Sequence, residues 1–321
     1  MKVAILGATS FLARRCATHL ARRGHEVVPF VRPNGERNEV QHDQLARPID
    51  IANLDQSFLD DVVQLDAIVN CIGAGVQPNH AETTSSIWQA NAFAPIRLIE
   101  LLAERGYQGK LITFGSYFEL GEINATHLLD EEEFLANRAP LPNAYCRSKR
   151  ALTRYVTDRH ATGLPFEHLH CILTNLYGPG ENPERLIPYI FRQVAARQPM
   201  HFSHGSQQRQ YTHVDDVAAW LSATLELQNG TTGIFNLTNE TVSTVREVIE
   251  QTLAFLADRE FTLPPIEFDE LSKRDLSMRY LALSCERARN ELGWNPSISL
   301  ANGIANYHDS TERDIHSSPS I

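Results

Sequence analysis

The fold is decided by the opening stretch MKVAILGATSFLA, residues 1–13. Its apolar run Val3-Ala4-Ile5-Leu6 is short and stops at Gly7, which is typical of a strand buried in a parallel sheet. From about Leu12 to Arg23 the apolar positions recur at helical spacing, and Gly24 provides a stop signal. The stretch therefore predicts a strand, a tight glycine turn and a helix in immediate succession.

The same alternation continues through the first half of the chain. Further strands are predicted at Glu26–Val31, from Ala67 to Ile72 and from Lys110 to Phe114, and a helix is predicted from Ile87 to Arg105. Alternating strands and helices predict an α/β fold, a Rossmann-type doubly wound parallel sheet. Ligands of such sheets bind beyond the carboxyl ends of the strands.

The regular alternation stops after about Asn175, where Gly178, Pro179, Gly180 and Pro183 form a loop. We therefore predict a dinucleotide-binding Rossmann domain at 1–174, with a return segment near 209–240. A smaller C-terminal substrate-binding lobe would comprise 175–208 and 241–307. Residues 308–321 are polar and rich in serine, and we predict a frayed tail there.

Composition narrows the class of protein. A formal net charge of −10 over 321 residues argues against nucleic acid or an anionic membrane as the main partner. The chain has no apolar run long enough to span a bilayer, so a cytoplasmic protein is expected. Its five cysteines are scattered without metal-ligand spacing, which favours buried reduced thiols over a metal or redox site.

The turn after the first strand is the candidate phosphate site. Small residues allow a phosphate to approach the backbone, and the first-turn N–H groups of a helix bind anions. The pattern is GxxSxxA, so two of the three glycines expected in a dinucleotide turn are replaced. We take Gly7, Ser10, Phe11 and Leu12 as cofactor-binding candidates, with a plain tight turn as the alternative.

The end of the second strand indicates which cofactor binds. An acidic residue there would hold the ribose diol of NAD, but the sequence reads Val31-Arg32. The guanidinium of Arg32 suits a 2′-phosphate, so NADP is favoured and NAD remains the alternative. Asp50 and Ile51 open a later loop, where the carboxylate could accept from the adenine amino group or cap a helix.

Tyr145 and Lys149 are the candidate acid-base pair. Pro142 and Asn143 predict the start of a helix, on which residues four apart share a face. An ammonium beside a phenol, together with an oxidised nicotinamide, would lower the pKa of the tyrosine. Ser116 ends the strand that begins at Lys110 and could donate to the same substrate oxygen.

These motifs together resemble the NAD-dependent epimerase/dehydratase family, the extended short-chain dehydrogenases that act on nucleotide sugars. The resemblance is collinear over about residues 1–305. Its carriers are the GATSFLA turn at 7–13, Asn91, Ser116, Tyr145-x-x-x-Lys149, NLYGP at 175–179, Arg209-x-Tyr211-x-His213-Val-Asp-Asp216 and Glu291-Leu-Gly-Trp294.

The resemblance implies a role for each matching position. Tyr145 would act as acid or base, Lys149 would bind the nicotinamide ribose, and Ser116 would orient the sugar oxygen. Asn91 would support the site, and Cys71, Ile72 and Gly73 would line the cofactor. The substrate candidates are Asn175, Arg209 and Arg274, with a turn residue and a salt bridge as alternatives for the first two. A homodimer is also implied.

Two reactions remain open. Dehydratases of this family carry an acid directly after the serine, whereas Tyr117 and Phe118 follow Ser116 here and Glu119 lies one position further on. NADPH-dependent reduction of a 4-keto sugar nucleotide is favoured by Arg32. The alternatives are a nucleotide-sugar 4-epimerase with retained NAD and, outside catalysis, a cofactor-sensing protein, against which the intact Ser-Tyr-Lys set argues.

Overall fold

A computed structural model describes residues 1–33, 46–75, 82–227, 230–271 and 276–317. Seven strands form the main sheet, and every neighbouring pair is parallel. The spatial order is β10-β6-β5-β4-β1-β2-β3. These strands are β1 (Lys2–Leu6), β2 (Glu26–Val31), β3 (Arg47–Pro48), β4 (Ala67–Asn70), β5 (Lys110–Ser116), β6 (Glu167–Leu173) and β10 (Gly233–Leu237). The predicted doubly wound parallel sheet is confirmed.

Helices cover both faces of this sheet. One apolar core lies under α1 (Phe11–Arg22) and α8 (Val214–Leu225), and a second lies under α2 (Gln56–Val62), α4 (Ala94–Glu104) and α6 (Ala144–Thr162). The helices α3 (Thr84–Trp88) and α5 (Glu131–Ala136) are shorter, and a π-helical turn, Gln89–Phe93, joins α3 to α4. The strand order turns around between β1 and β4, so the crevice for a ligand opens there, at the carboxyl edge.

Two small sheets complete the structure. One contains β7 (Asn175–Tyr177), β9 (Gln208–His213), β11 (Val242–Thr244) and β13 (Tyr280–Leu281). The other pairs β8 (Met200–Phe202) with β12 (Ile266–Phe268). They pack with α7 (Leu186–Ala195) and α9 (Val245–Ala257) around smaller apolar clusters. The division into two domains stays a prediction.

The C-terminal helix corrects one expectation. Residues 308–321 were predicted to be a frayed tail, but the helix Leu300–Ser317 includes 308–317, and 318–321 lie outside the described residues. The His308 side chain of this helix is only 8% exposed and lies against the rings of Phe191, Phe255 and Phe261. Aromatic packing against neighbouring elements therefore orders a segment whose polar composition suggested otherwise. None of the helices in the described part of the chain is long and apolar enough to cross a membrane.

Candidate active site

The turn between β1 and α1 approaches the end of β4 closely. Gly7 has a φ of 75°, and a Cβ at this position would lie 3.1 Å from the backbone nitrogen of Ile72. Such a conformation and such an approach both require glycine. The turn is thereby held against the end of the neighbouring strand, at the crevice of the sheet.

Ser10 begins α1 as its N-cap residue. Its Oγ accepts a hydrogen bond from the amide of Ala13 at 3.4 Å, and no acidic side chain lies in the first turn of the helix. Phe11 and Leu12 are the first residues of α1, and the first N–H groups of a helix have no acceptor within the helix itself. The predicted phosphate turn therefore presents donors without a competing carboxylate. That arrangement fits a dinucleotide pyrophosphate.

The carboxyl ends of β2 and β3 lie side by side. Arg32 follows β2 and is exposed. Asp50 follows β3, and its Oδ1 accepts from the amide of Ala52 at 2.9 Å, whereas Asp55 caps the next helix. The helix-cap alternative for Asp50 is thus wrong, because its carboxylate closes a turn. The carbonyl oxygen of Ile51 accepts from Gln89 Nε2 at 3.0 Å, which fixes this loop to the π-helical turn.

Cys71, Ile72 and Gly73 follow β4 and are held by Asn91 of the π-helical turn. Asn91 is 1% exposed. Its Oδ1 accepts from the amide of Ala74 at 2.9 Å, while its Nδ2 donates to the Ala74 carbonyl at 2.9 Å and to Ser148 Oγ at 3.1 Å. Asn91 therefore ties the loop after β4 to α6, the helix that carries the candidate acid-base pair.

Ser116, Tyr145 and Lys149 lie together at the carboxyl edge of the sheet. Asn143 caps α6, with its Oδ1 accepting from the amide of Cys146 at 3.0 Å. Ser116, which ends β5, lies close enough to the phenol of Tyr145 to lower its pKa. Lys149 is buried and its Nζ donates to the carbonyl oxygen of Phe114 at 2.8 Å. The three predicted residues thus meet at one place.

The pKa of Tyr145 departs from the expectation. Desolvation raises it to about 12, and the hydrogen bond from Ser116 only partly opposes this. In the protein without cofactor, Lys149 does not lower the pKa of Tyr145, because its ammonium hydrogen-bonds a carbonyl and burial lowers the pKa of the lysine itself. The protein without cofactor therefore holds Tyr145 as a neutral phenol at neutral pH.

Glu119 is a buried carboxyl group behind Ser116 that the sequence analysis left without a role. It is 2% exposed, and its Oε1 accepts from the amide of Ser116 at 2.7 Å. The two residues form a capping box around the 3₁₀ turn Tyr117–Leu120. Burial raises the pKa of Glu119 to about 7, opposed by hydrogen bonds from Thr153 and Ser116 and by the charge of Lys149. The spacing Ser-x-x-Glu is the sequence signature of this box and could have revealed it.

The substrate candidates lie in the second sheet. Asn175 begins β7 opposite Tyr211 of β9, and its side chain acts to lower the pKa of the Tyr211 phenol. Arg209 of β9 is 7% exposed, and its Nη1 donates to the carbonyl oxygen of Gln208 at 2.7 Å. In the described part of the chain Arg209 pairs with no carboxylate, so the salt-bridge alternative gains no support. Arg274 lies outside the described residues.

Arg185, at the start of α7, is a second cation near this region that no sequence motif indicated. Its Nε donates to Glu181 Oε1 at 3.0 Å. The charge of Arg185 acts to lower the pKa of three tyrosines, Tyr117, Tyr145 and Tyr211. Arg185 therefore faces the same space as Arg209, between the catalytic edge and the small sheet.

The paired aspartates of the HVDD motif have structural contacts. Asp215 accepts from Nε and Nη2 of Arg15 at 2.6 Å each, which joins α8 to α1. Asp216 Oδ1 accepts from the amide of Ser297 at 3.0 Å. The motif therefore connects the main sheet to the C-terminal segment and leaves only its first residues, Arg209 and Tyr211, facing the site.

A parallel nucleotide-binding sheet with a serine, a tyrosine and a lysine at its carboxyl edge defines an enzyme of the extended short-chain dehydrogenase/reductase type. The chain belongs to the NAD dependent epimerase/dehydratase family, whose model matches residues 3–238.

Its relatives catalyse different reactions on nucleotide sugars. A UDP-glucose 4-epimerase of Corynebacterium glutamicum is 24% identical, covering 92% of this chain and 91% of the relative. A dTDP-glucose 4,6-dehydratase of Streptomyces niveus is 29% identical over 78% of this chain and 71% of its own. A GDP-6-deoxy-D-mannose reductase of Pseudomonas aeruginosa is 26% identical, with coverages of 74% and 78%. This protein is an enzyme of that kind.

The fold is also that of solved structures. MoeE5 in complex with UDP-glucuronic acid and NAD superposes with a TM-score of 0.81 at 22% identity, over 98% of this chain and 100% of MoeE5. An identity this low supports the fold and leaves the reaction open.

Proposed function

We propose that this enzyme reduces a 4-keto sugar nucleotide with NADPH, with Tyr145 as the proton donor. The observation that carries the proposal is the end of β2, where Arg32 stands in place of the carboxylate that would bind the ribose diol of NAD. Among the described residues no carboxylate pairs with Arg32, so its guanidinium is available to a 2′-phosphate. A phosphate-selective site suits a cofactor that exchanges at each turnover.

The cofactor would lie across the crevice between β1 and β4. Gly7, Ser10, Phe11 and Leu12 would hold the pyrophosphate, with Asp50 and Ile51 near the adenine. Cys71, Ile72 and Gly73 would line the nicotinamide half, kept in place by Asn91. When bound, the nicotinamide supplies the hydride that reduces the carbonyl carbon.

Tyr145 would supply the proton in this reaction. A group must be protonated to act as a general acid, and the raised pKa of Tyr145 keeps it so at neutral pH. Ser116, which lies beside the phenol, would orient the substrate oxygen toward it. As the phenol loses its proton, the nearby Lys149 ammonium would stabilise the phenolate.

Elimination of water is disfavoured by the residues after Ser116. Tyr117 is fully buried, and the ring of Phe118 lies 6.3 Å from that of Tyr145 in an edge-to-face arrangement. Phe118 has no proton to donate, and burial raises the pKa of the Tyr117 phenol, which makes it a weaker acid than the carboxyl group of a dehydratase. Glu119 is buried, and its Oε1 is occupied by the amide of Ser116 in the capping box.

Asn175, Arg209 and, by its location, Arg185 would contact the nucleotide-sugar substrate. Two guanidinium groups beside a space lined by tyrosines fit a diphosphate joined to a sugar. We also retain a homodimer and a cytoplasmic location as predictions.

The test is a screen of 4-keto and 4-hydroxy sugar nucleotides with NADPH and with NADH, monitored by the absorbance of the reduced nicotinamide. We expect oxidation of NADPH that depends on a 4-keto sugar nucleotide. Purified protein that carries tightly bound NAD and interconverts 4-hydroxy sugar nucleotides without added cofactor would instead establish the epimerase.

The cofactor assignment has its own test in Arg32→Ala. Loss of a charge-assisted contact to phosphate should raise the KM for NADPH by about 10- to 100-fold and leave that for NADH almost unchanged. Arg47→Ala is the matched control, because Arg47 lies on the adjacent strand and already pairs with Asp61 at 2.8 Å. Equal effects of Arg32→Ala on both cofactors would contradict the choice of NADP.

A further inference from the structure

A chain of polar side chains lies buried between α6 and the sheet. Thr113 of β5 and His168 and His170 of β6 are each at most 1% exposed. Thr113 and His170 are direct partners in the parallel register, so their side chains project from the same face of adjacent strands. Polar groups are expensive to bury unless each finds a partner. Here their partners are one another.

The hydrogen bonds through this chain are continuous. Thr113 Oγ1 lies 2.9 Å from His168 Nε2 and 2.7 Å from His170 Nδ1. His170 Nε2 in turn lies 2.9 Å from Thr153 Oγ1 on α6. Both rings therefore use both nitrogens, one toward each neighbour, and each hydroxyl can donate on one side and accept on the other.

The outer end of the chain reaches the surface at His160. Its Nε2 lies 3.1 Å from His168 Nδ1. His160 belongs to the last turn of α6 and is partly exposed. The chain therefore begins at a side chain that water can reach.

The inner end reaches the catalytic site at Glu119. The Thr153 hydroxyl lies close enough to the Glu119 carboxyl to lower its pKa, and a Cβ at Gly115 would lie 2.8 Å from Glu119 Oε1 and 2.9 Å from His170 Nε2. Glu119 Oε2 is buried, and the described residues provide it with no hydrogen-bond partner of its own. Tyr145, Lys149 and Thr153 follow one another at intervals of four along α6, so they share one face of the helix.

The hydrogen-bond donors of this polar chain can all point inward or all point outward. When Glu119 is ionised, Thr153 donates to it, and each group further out donates inward, ending with His160 Nε2–H toward His168. When Glu119 is protonated, every donor can point outward instead. Passage of one proton from His160 to Glu119 converts the first orientation into the second and leaves no group in between charged.

We propose that His160, His168, Thr113, His170, Thr153 and Glu119 form a proton relay that reloads the Tyr145–Lys149 site from solvent after each reduction. The inference rests on the proposed function, because only a reductase consumes a proton at each turnover. An epimerase would return the proton that it removed.

The reduction consumes one proton, and each transfer along the relay balances. Tyr145 gives its proton to the substrate oxygen and recovers one from the Lys149 ammonium, and the Glu119 carboxyl restores the ammonium. Rotation of the hydroxyls and rings then turns every donor inward. Glu119 takes the proton of Thr153, each group outward passes on one proton and receives another, and water supplies the last proton at His160.

The neutral state of the rings agrees with this role. Burial lowers the pKa of His168 and His170 far below the usual value, and it lowers that of His160 to about 4 with help from the charge of Arg287. Neutral imidazole carries one donor and one acceptor, which a relay requires and an imidazolium lacks.

Thr113→Val is the decisive variant, because it keeps the shape of the side chain and removes the hydroxyl that joins the two rings. The first turnover uses the proton already on Tyr145, so its hydride-transfer rate should stay within about twofold of the wild type. Later turnovers need a new proton and should slow by about tenfold or more, giving a burst of NADPH oxidation. Thr252→Val is the matched control, since Thr252 is equally buried in α9 and its hydroxyl donates only to the Val248 carbonyl, at 2.8 Å.

His160→Ala provides a second variant at the surface that spares the buried core. It should also show a burst, and added imidazole should restore the later turnovers toward the wild-type rate. If the polar chain had only a structural role, neither the burst nor the rescue by imidazole would be observed. Steady-state rates in Thr113→Val and His160→Ala that match the wild type and ignore imidazole would overturn the relay, whereas a wild type that reduces no 4-keto sugar nucleotide would overturn the proposed function.

A measurement without substrate distinguishes failure of the relay from failure of the proposed function. In nitrogen-15 spectra of the imidazoles, raising the pH across the ionisation of Glu119, whose pKa is about 7, should move the ring protons of His168 and His170 from Nδ1 to Nε2. Thr153→Val should abolish this change, and a wild type that keeps one tautomer at both pH values would refute the relay. The titratable groups that face Glu119 are Tyr145, Cys146, Lys149, Arg150 and Arg154 of α6 and His170 of β6.

Discussion

The two faces of strands β5 and β6 have opposite characters. Toward α1 and α8 these strands present the apolar side chains Ile112, Phe114, Leu169 and Cys171, all in one core cluster. Toward α6 the same strands carry Thr113, Gly115, His168 and His170 together with the apolar Leu111 and Ile172. The same two strands thus build a wholly apolar core on one side and carry a hydrogen-bonded polar chain on the other.

The polar side chains of this face are not explained by the stability of the fold. Replacing a satisfied buried polar pair by apolar groups of the same shape is often neutral or stabilising, so packing alone does not call for two histidines in a sheet. The polar face is also the one that α6 covers, and α6 carries Tyr145 and Lys149. Variants on the two faces should therefore fail in different ways.

The largest difference is expected for Tyr145→Phe on the α6 face. Loss of the phenolic proton that Tyr145 would give to the substrate oxygen should lower kcat by about 10²–10⁴-fold with little change in the unfolding temperature. Tyr155→Phe is the control on the same helix, since its hydroxyl contacts Glu100, and it should retain activity. If Tyr145→Phe kept wild-type turnover, the acid-base mechanism would have to be abandoned.

The second difference concerns how stability depends on pH. Leu169→Ala on the apolar face should lower the free energy of unfolding by about 2–5 kcal/mol at every pH, because it leaves a cavity. Glu119 on the other face has a pKa raised to about 7, so the native state binds its proton more tightly than the unfolded state does. The stability contributed by this group is then present at low pH and lost as the pH rises from about 4.5 to 7.

Glu119→Gln should therefore remove part of the pH dependence. We expect the wild type to lose roughly 1–3 kcal/mol relative to Glu119→Gln between pH 5 and pH 8, because the glutamine never ionises. Urea unfolding at pH 5, 6, 7 and 8 measures the effect. Parallel curves for the two proteins would show that the buried carboxyl does not titrate in this range.

The apolar face could be predicted from the sequence, and much of the polar face could not. Alternation and glycine stops predict the parallel sheet, and the bounds of β2 agree with the structure, since buried strands are recognised by local pattern. The strand predicted to reach Ile72 ends at Asn70 instead, because Asn70 Oδ1 accepts from the amide of Ile72 and turns the chain outward. Hydrophobic periodicity does not indicate where a side chain takes a backbone amide away from the strand in this way.

The predicted site shows the same limit. Ser116, Tyr145 and Lys149 were found because helical spacing and strand ends are local features. Asn91 was placed by family resemblance, but its position in a π-helical turn has no sequence signal. Arg185 reaches the site only through the packing of α7, a tertiary arrangement that one sequence does not specify.

The smallest expected effect concerns the place where the polar face meets solvent. Burial is the main cause that lowers the pKa of His160 to about 4, and the positive charge of Arg287 lowers it further. Arg287→Gln should remove only the second contribution, so the pKa should rise by a few tenths to about one unit and stay below the usual value for histidine. An NMR titration of the His160 imidazole measures this shift. A pKa that returned fully to the usual value would mean that the ring is exposed to water, and the outer end of the polar chain would then be ordinary surface.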